Sequence, residues 1–508
     1  RSLKEEVKCE ADHVVPESGG KQVDYCRVDG EVNMSSLVEK VVAGKCVDAQ
    51  DTVKYFNSEL KKRICFLDGG MGTRIQAESL EEDDFRGDRF KDFNEIDNNG
   101  VPVSLKGNND LLVFSKPQLV VDIHKEYYEA GSDICETNTF NGTSISQGEY
   151  KCQSVVYELN KVAAELCKKA AAEVTKAEPS KPRFVAGAIG PTSRTLSVSP
   201  SVEDCSFRNV TWDELVEAYE EQIRGLVDGG CDLLMIETIF DTQNSKAAIF
   251  AVDNYFEKAG TPRLPVLLSA TIVDNSGRTL SGQTVEAFYI SVKHAKPFTV
   301  GINCALGAQQ MKGFYNALAN LNQGWCHVYP NAGLPNAMGG YDEDPALFSD
   351  NILDYAKDGI LNFVGGCCGT FPSHIKAVAD KVANCPVRKL PELPKYPTMQ
   401  LSGLEPAFVK PEIGFQWVGE RCNLMGSAKF KKLVDAYKWD EAMEVCIAQC
   451  EKKADILDFN FDSDLIDGQT AMGKFMRMCV TEPNVAKLPF MLDSSKWNVV
   501  EEGLKCVQ

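Results

Sequence analysis

The most specific chemistry in this sequence lies in three cysteines. Two are adjacent, Cys367 and Cys368 in "NFVGGCCGT" (362–370), and the third is Cys304 in "GINCALG" (301–307). Adjacency alone is weak evidence, because 19 cysteines in 508 residues give ~0.7 adjacent pairs by chance. Two buried thiols, a strained vicinal disulfide or part of a metal site all fit the pair taken by itself. Side chains alternate across a regular strand, so neighbouring sulfurs reach one ion only where the pleat is broken. Gly365, Gly366 and Gly369 are expected to break it, by taking backbone angles closed to other residues. Three thiolates suit zinc, and three protein ligands with one open position describe a catalytic site rather than a structural one. Their charge outweighs that of the metal, so such a site is poor at activating water. It suits a substrate thiol instead. A free thiol ionises near ~8.5, metal coordination removes its proton outright, and the sulfur stays nucleophilic. The expected chemistry is alkyl transfer to a thiol rather than hydrolysis.

Elements must bring position 304 next to 367 and 368. From Ile64 onward, short apolar runs alternate with amphipathic helical stretches. The runs are "ICFLDGG", "DICETNTF", "FVAGAIGP", "LLMIETIF", "VLLSATIV", "FTVGINCA", "CHVYPNAG" and "LNFVGGCCG". Helical patterns such as 117–131, 155–174 and 211–230 lie between them. Pro117 stands at a first helical position, and Thr211 with Glu214 has the spacing of a capping box. Eight β-then-α units predict a (β/α)8 TIM barrel in the α/β class. An open doubly wound sheet is disfavoured, because "DGGMGT" after the first run is not G-x-G-x-x-G. The polar residues fall at the downstream strand ends: Asp68, Glu136, Thr137, Asn138, Glu237, Asn303, Cys304, Asn331, Cys367 and Cys368. A barrel gathers those ends on one face, with Cys304 on the sixth strand and the pair on the eighth.

The boundaries follow from composition. Residues 1–60 form an unassigned extension, polar and turn-rich at 10–22, with short helices expected in 35–44 and 51–63. Residues 61–384 are the barrel. Residues 385–413, rich in proline and without helical period, are expected to form an extended, semi-rigid linker. Residues 414–508 restart the rhythm with "FQWVGERCN", "ADILDFNFD" and "LPFMLDSS", three units that predict an incomplete second TIM barrel. A net charge of −19 argues against a nucleic-acid partner, whose phosphates require clustered Lys and Arg. No apolar run reaches the ~18 residues of a membrane span, so no membrane partner is expected. The charged first residues lack both the pattern of a signal peptide and a starting Met, so the true start is expected upstream. Cysteines scattered along a long chain point to a reducing, cytoplasmic setting.

Longer motifs carry a resemblance. "FLDGGMGTRIQ", "ETNTF", "IETIFDT", "GINCALG", "YPNAGLPN" and "VGGCCGTFPSHI" resemble the homocysteine S-methyltransferase domain. "KGNNDLL", "LSVSPS" and "SGRTLSGQT" narrow this to the cobalamin-dependent methionine synthases, and "VGERCNLMGSAKFKKL", "LDFNFD" and "LDSSKW" resemble the methyltetrahydrofolate-binding barrel of that family. "NEIDNNGVPVS" (94–104) reads as an insertion. The resemblance implies Zn(2+) on Cys304, Cys367 and Cys368. It implies L-homocysteine held through its amino group by Asp68 and Glu237, with Asn331 at the open zinc position before substrate arrives. Without it, both acids could equally cap the helices that follow them. In the second unit it implies pterin contacts from Glu420, Asn423 and Asp493, with Asp458 and Asn460 as further candidates. The methyl donor would be methylcobalamin, recharged from 5-methyltetrahydrofolate and carried by a cobalamin-binding domain that this sequence does not include. A betaine or S-methylmethionine donor, or a non-catalytic zinc-binding remnant, are the alternatives.

Overall fold

The computed structural model describes residues 24–97, 99–394 and 398–508; the turn-rich stretch 10–22 lies outside them. Eight parallel strands form one sheet: β1 Cys65–Phe66, β2 Ile134–Glu136, β3 Phe184–Ile189, β4 Leu233–Ile239, β5 Val266–Ala270, β6 Thr299–Gly307, β7 Trp325–Asn331 and β8 Phe363–Val364. The pairing order is β1-β8-β7-β6-β5-β4-β3-β2, the TIM barrel that the alternating runs predict. The seam between β1 and β2 is closed by single bonds rather than a ladder. Asp133 N donates to Phe66 O at 2.7 Å, Ser132 Oγ to Leu67 O at 3.0 Å, and Glu136 N to Asp68 Oδ2 at 2.9 Å. The last of these makes a candidate ligand part of the closure.

Local signals agree with the outer helices. Helix Pro117–Ala130 starts on its proline. Helix Trp212–Asp228 carries the full capping box, Thr211 accepting from Glu214 N and Glu214 from Thr211 N, which relieves two of the unpaired donors at a helix start.

Residues 24–60 belong to the barrel's core. Helices Met34–Val42 and Ala49–Glu59 fall near the predicted short helices. The second plugs the upstream barrel mouth with Phe56, fully buried. Its ring centroid lies 4.7 Å from that of Phe184 and 5.4 Å from that of Phe363. Beside it, Trp325 Nε1 donates to Asn57 Oδ1 at 2.7 Å. This end is stability, and the opposite end is left for chemistry.

The stretch 385–413 departs from the expected extended linker. It contains an antiparallel hairpin, β9 Met399–Ser402 with β10 Pro406–Val409. Neighbouring side chains, invisible to composition, supply the reason. Gln283 Nε2 donates to Gly403 O at 2.8 Å, Ser291 Oγ meets Ser402 Oγ at 2.9 Å, and on the other side Leu404 N donates to Ala486 O at 2.8 Å.

Beyond it, β11 Val418–Asn423, β12 Ile456–Asn460 and β13 Phe490–Asp493 form a parallel three-stranded sheet over a separate apolar cluster centred on Phe459, Phe461 and Phe475. In 94–104, a bridge between Ile96 and Pro102 makes the suspected insertion a small surface hairpin.

Candidate active site

The downstream barrel mouth holds a cavity of ≈ 400 Å³ lined by Asp68, Glu136, Glu237, Cys304, Cys367 and Cys368 among others. Three sulfurs and three carboxyls share its lining.

The sulfur side depends on irregular backbone. The β6–β7 register breaks between Asn303 and Gly307, where Cys304 and Ala305 both take left-handed angles, φ 60° and 59°. Such residues cost about 1–3 kcal/mol each and persist only where their surroundings hold them. The glycines around the pair work differently from expectation. Only Gly369 has a positive φ, 79°. Gly365 and Gly366 are needed for space: a Cβ on Gly365 would stand 2.7 Å from Asp68 O, and one on Gly366 2.5 Å from Thr370 Oγ1.

The result is a three-sulfur cluster. The sulfurs of Cys304, Cys367 and Cys368 all lie within 4.8 Å of one another, and Cys304 Sγ is 3.7 Å from Cys368 Sγ. A tetrahedral zinc with 2.3 Å bonds sets its sulfurs about 3.8 Å apart, so this donor set fits zinc. As thiols the three share protons unevenly. Hydrogen bonds from Cys304 and Cys367 hold Cys368 down at about 3. Cys304, which its bond with Cys367 alone would lower, is pushed up to about 12 by donating to Cys368 and by burial. Cys367 is pushed well up by its bonds to both neighbours.

Across the cavity, three carboxyls crowd together. Burial pushes Asp68 up to about 8, against the pull of the Glu136 N–H, and the Glu237 charge adds to the rise. Burial takes Glu237 up to about 7. Glu136 rises well above the usual range through burial and the charges of Glu237 and Asp68. An arriving ammonium would let them ionise. Neither Asp68 nor Glu237 is spent on a helix cap. The helix Met71–Gln76 after β1 has Gly70 at its N-cap, and the helix Thr242–Ala259 after β4 is capped by Asp241.

Asn331 stands behind the cysteine turn. It does not line the cavity. It is buried, and its Oδ1 accepts from Cys368 N at 3.1 Å, which ties it to the cysteine turn. Thr137 and Asn138 line the wall but are tied to structure, Thr137 Oγ1 accepting from Ala188 N and Asn138 Nδ2 donating to Asn109 O. Sequence reading places Glu136 at a strand end without giving it a ligand. The signal, an acid at the same strand-end position as Asp68 and Glu237, was present. It also passes over Tyr329, whose OH donates to Glu237 Oε2 at 3.4 Å.

The second sheet aligns its own strand ends. Asn423, Asn460 and Asp493 are register partners across β11, β12 and β13. Asn423 Nδ2 donates to Asp458 Oδ2 at 3.1 Å and Asn460 Nδ2 to Asp493 Oδ2 at 2.9 Å. Asp458 Oδ1 is buried without a partner among the described residues, and burial raises this carboxyl. Glu420 is exposed, beside Gly426, where the β11 register shifts.

Comparison with known proteins supplies names for both units. Residues 419–508 match the pterin binding enzyme family. The homocysteine methyltransferase MmuM from Escherichia coli, in its metallated form, is 20% identical with a TM-score of 0.49, covering 64% of this chain and 99% of its own. The carboxyl transferase domain of Rhizobium etli pyruvate carboxylase is 9% identical with a TM-score of 0.34, covering 64% and 44%. Residues 65–382 match the homocysteine S-methyltransferase family. That match takes in the greater part of the chain and every residue around the cavity, so this chain is a methyltransferase that belongs to the homocysteine S-methyltransferase family.

Proposed function

We propose that the chain methylates L-homocysteine to L-methionine at the first barrel, with methylcobalamin as donor, and that the second unit presents 5-methyltetrahydrofolate to recharge the cobalamin. The observation that carries the reading is one small cavity lined by three clustered sulfurs and by three carboxyls. Cys304, Cys367 and Cys368 would hold zinc. When bound it supplies ionisation of a substrate thiol without loss of nucleophilicity.

The chain's own residues do the rest. Asp68, Glu136 and Glu237 take the substrate ammonium, shedding protons as it arrives. That fixes the amino acid's head, so its sulfur points at the three cysteines. Asn331, through Cys368 N, and Gly369 hold the turn that aims the cysteine pair. The substrate sulfur would bond to the methyl carbon, and the pair of the broken bond would leave with the donor.

The cobalamin donor is favoured over betaine or S-methylmethionine by the second unit, whose strand-end acids suit the amide and amino edge of a pterin. Glu420, Asn423, Asp458, Asn460 and Asp493 are the proposed pterin contacts. We assign residues 61–384 to the first unit, with 24–60 packed into its core, 385–413 to the connector and 414–508 to the second; a cobalamin-binding domain would be the shared partner. No helix among the described residues is long and apolar enough to cross a membrane. The cysteines among the described residues are free, which fits the reducing cytoplasm where we place the enzyme.

The test supplies zinc-loaded protein and homocysteine with methylcobalamin, S-methylmethionine or betaine in turn. Methionine from methylcobalamin, absent in Cys304→Ala, supports the reading. Methionine only from S-methylmethionine or betaine refutes the donor, and none from any donor refutes the reaction.

A further inference from the structure

One buried amide touches both halves of the cavity. Asn303 is fully buried at the end of β6, and its side chain uses its whole bonding capacity. Oδ1 accepts from Thr238 N at 3.1 Å and from Ser269 Oγ at 2.7 Å. Nδ2 donates to Thr238 Oγ1 at 2.9 Å and reaches Cys367 Sγ at 3.9 Å. The amide cannot be flipped, because Thr238 N–H requires the oxygen where it stands. On the carboxylate side the chain of bonds continues, Thr238 Oγ1 donating to Glu237 Oε2 at 3.4 Å.

The backbone on both sides of this amide is out of register. Thr238 has φ 52° where the β4–β5 ladder shifts between Ile236 and Ile239. Cys304 has φ 60° directly after Asn303. Left-handed non-glycine residues stay in place only when neighbours over-determine them, and here Asn303 supplies the tie between the two. It bonds the residue that follows Glu237, precedes Cys304 in the chain and contacts Cys367.

We propose that Asn303 is a positioning residue that sets the separation between the sulfur site and the ammonium site, and so selects amino-acid thiols by chain length, homocysteine over cysteine. This rests on the homocysteine reading above. The amide touches no substrate in this account; it holds Glu237, through Thr238, at a fixed distance from Cys367. Losing the tie lets the two halves relax independently. Affinity gained from holding both ends of one substrate at once then falls, while either half alone still works.

The experiment uses cobalt(II)-substituted protein and follows thiolate-to-cobalt absorption as three thiols are added: L-homocysteine, L-cysteine and 4-mercaptobutanoate, which lacks the amino group. Metal content and melting temperature are measured on each variant. Asn303→Ala and Thr238→Val are expected to keep one metal per chain and the metal-thiolate bands. Homocysteine binding should weaken about tenfold or more, the loss of one charged hydrogen bond. Binding of 4-mercaptobutanoate should change less than about threefold, and the preference for homocysteine over cysteine should shrink. Thr238→Ser, which keeps the hydroxyl relay, should restore it. Equal weakening of all three thiols, or unchanged preference in a folded, metal-loaded Asn303→Ala, would overturn the proposal, as would loss of metal from a folded Asn303→Ala. A wild-type protein whose bands ignore homocysteine would instead overturn the homocysteine reading, and the inference with it.

Discussion

Cys304 and Cys368, from strands two apart around the barrel, hold their sulfurs 3.7 Å apart, the separation a tetrahedral zinc imposes. Cys304→Ala should therefore reduce zinc from one per chain to near zero, by elemental analysis after dialysis. Its circular dichroism should stay that of the wild type, because Cys304 sits on the rim and is only partly buried. Retained stoichiometric zinc would exclude Cys304 as a ligand.

Glu237 is buried, caps no helix and is met by Tyr329 OH. Glu237→Gln keeps the size and removes the charge. Its KM for homocysteine should rise roughly 10- to 100-fold, the range for one charge-assisted hydrogen bond, with zinc content unchanged. A variant with normal KM would show that the ammonium is held elsewhere.

The crowded carboxyls set a pH dependence for stability. Asp68 and Glu237 hold protons in the folded state up to about 8 and about 7, whereas in the unfolded chain they lose them near 4. The folded state therefore binds more protons between these values. The contribution is complete below about pH 4 and is lost as pH rises through 7 to 8, by about 1.4 kcal/mol per pH unit for each proton retained. Melting temperature of the ligand-free protein should fall from pH 5 to pH 8, and fall less in Asp68→Asn. An equal fall in both would place the titration elsewhere.

Phe56 closes the upstream mouth against Phe184 and Phe363. Phe56→Ala should cost about 3–5 kcal/mol by cavity formation, seen as a lower denaturation midpoint. Zinc binding by the folded fraction should be normal. A variant as stable as wild type would show that residues 49–59 are not part of the barrel's core.

The second sheet brings Asp493 to the end of β13 beside Asn460. Asp493→Asn should weaken binding of 5-methyltetrahydrofolate about tenfold or more in a titration with the whole chain, leaving homocysteine methylation from added methylcobalamin unchanged. Unaltered folate binding would remove Asp493 from the pterin contacts.

What the sequence made legible was whatever repeats or punctuates. Apolar runs at regular intervals announced the eight strands, and the cysteines sat at two of their ends. Chain packing decided the rest. Gly365 and Gly366 were expected to take backbone angles closed to other residues but serve as space beside Asp68 and Thr370, because a close approach leaves no mark in the sequence. Asn331 was a candidate only through the family resemblance, and its bond with Cys368 N leaves no mark in the sequence. The 24–60 segment has no periodic partner in sequence, since its contacts are to strand starts more than a hundred residues on. The connector read as extended from its prolines, while its hairpin is fixed by Gln283, Ser291 and Ala486. The carboxyl cluster was visible only as separate strand-end acids; its raised proton affinity arises chiefly from burial.

The central claim is that the three cysteines present a metal with room for the substrate's sulfur. Zinc K-edge absorption on the loaded protein, before and after adding L-homocysteine, tests it most directly. The account predicts three sulfur neighbours at about 2.3 Å becoming four when homocysteine binds. A sulfur count that stays at three with homocysteine bound, or that is four before it is added, would contradict it.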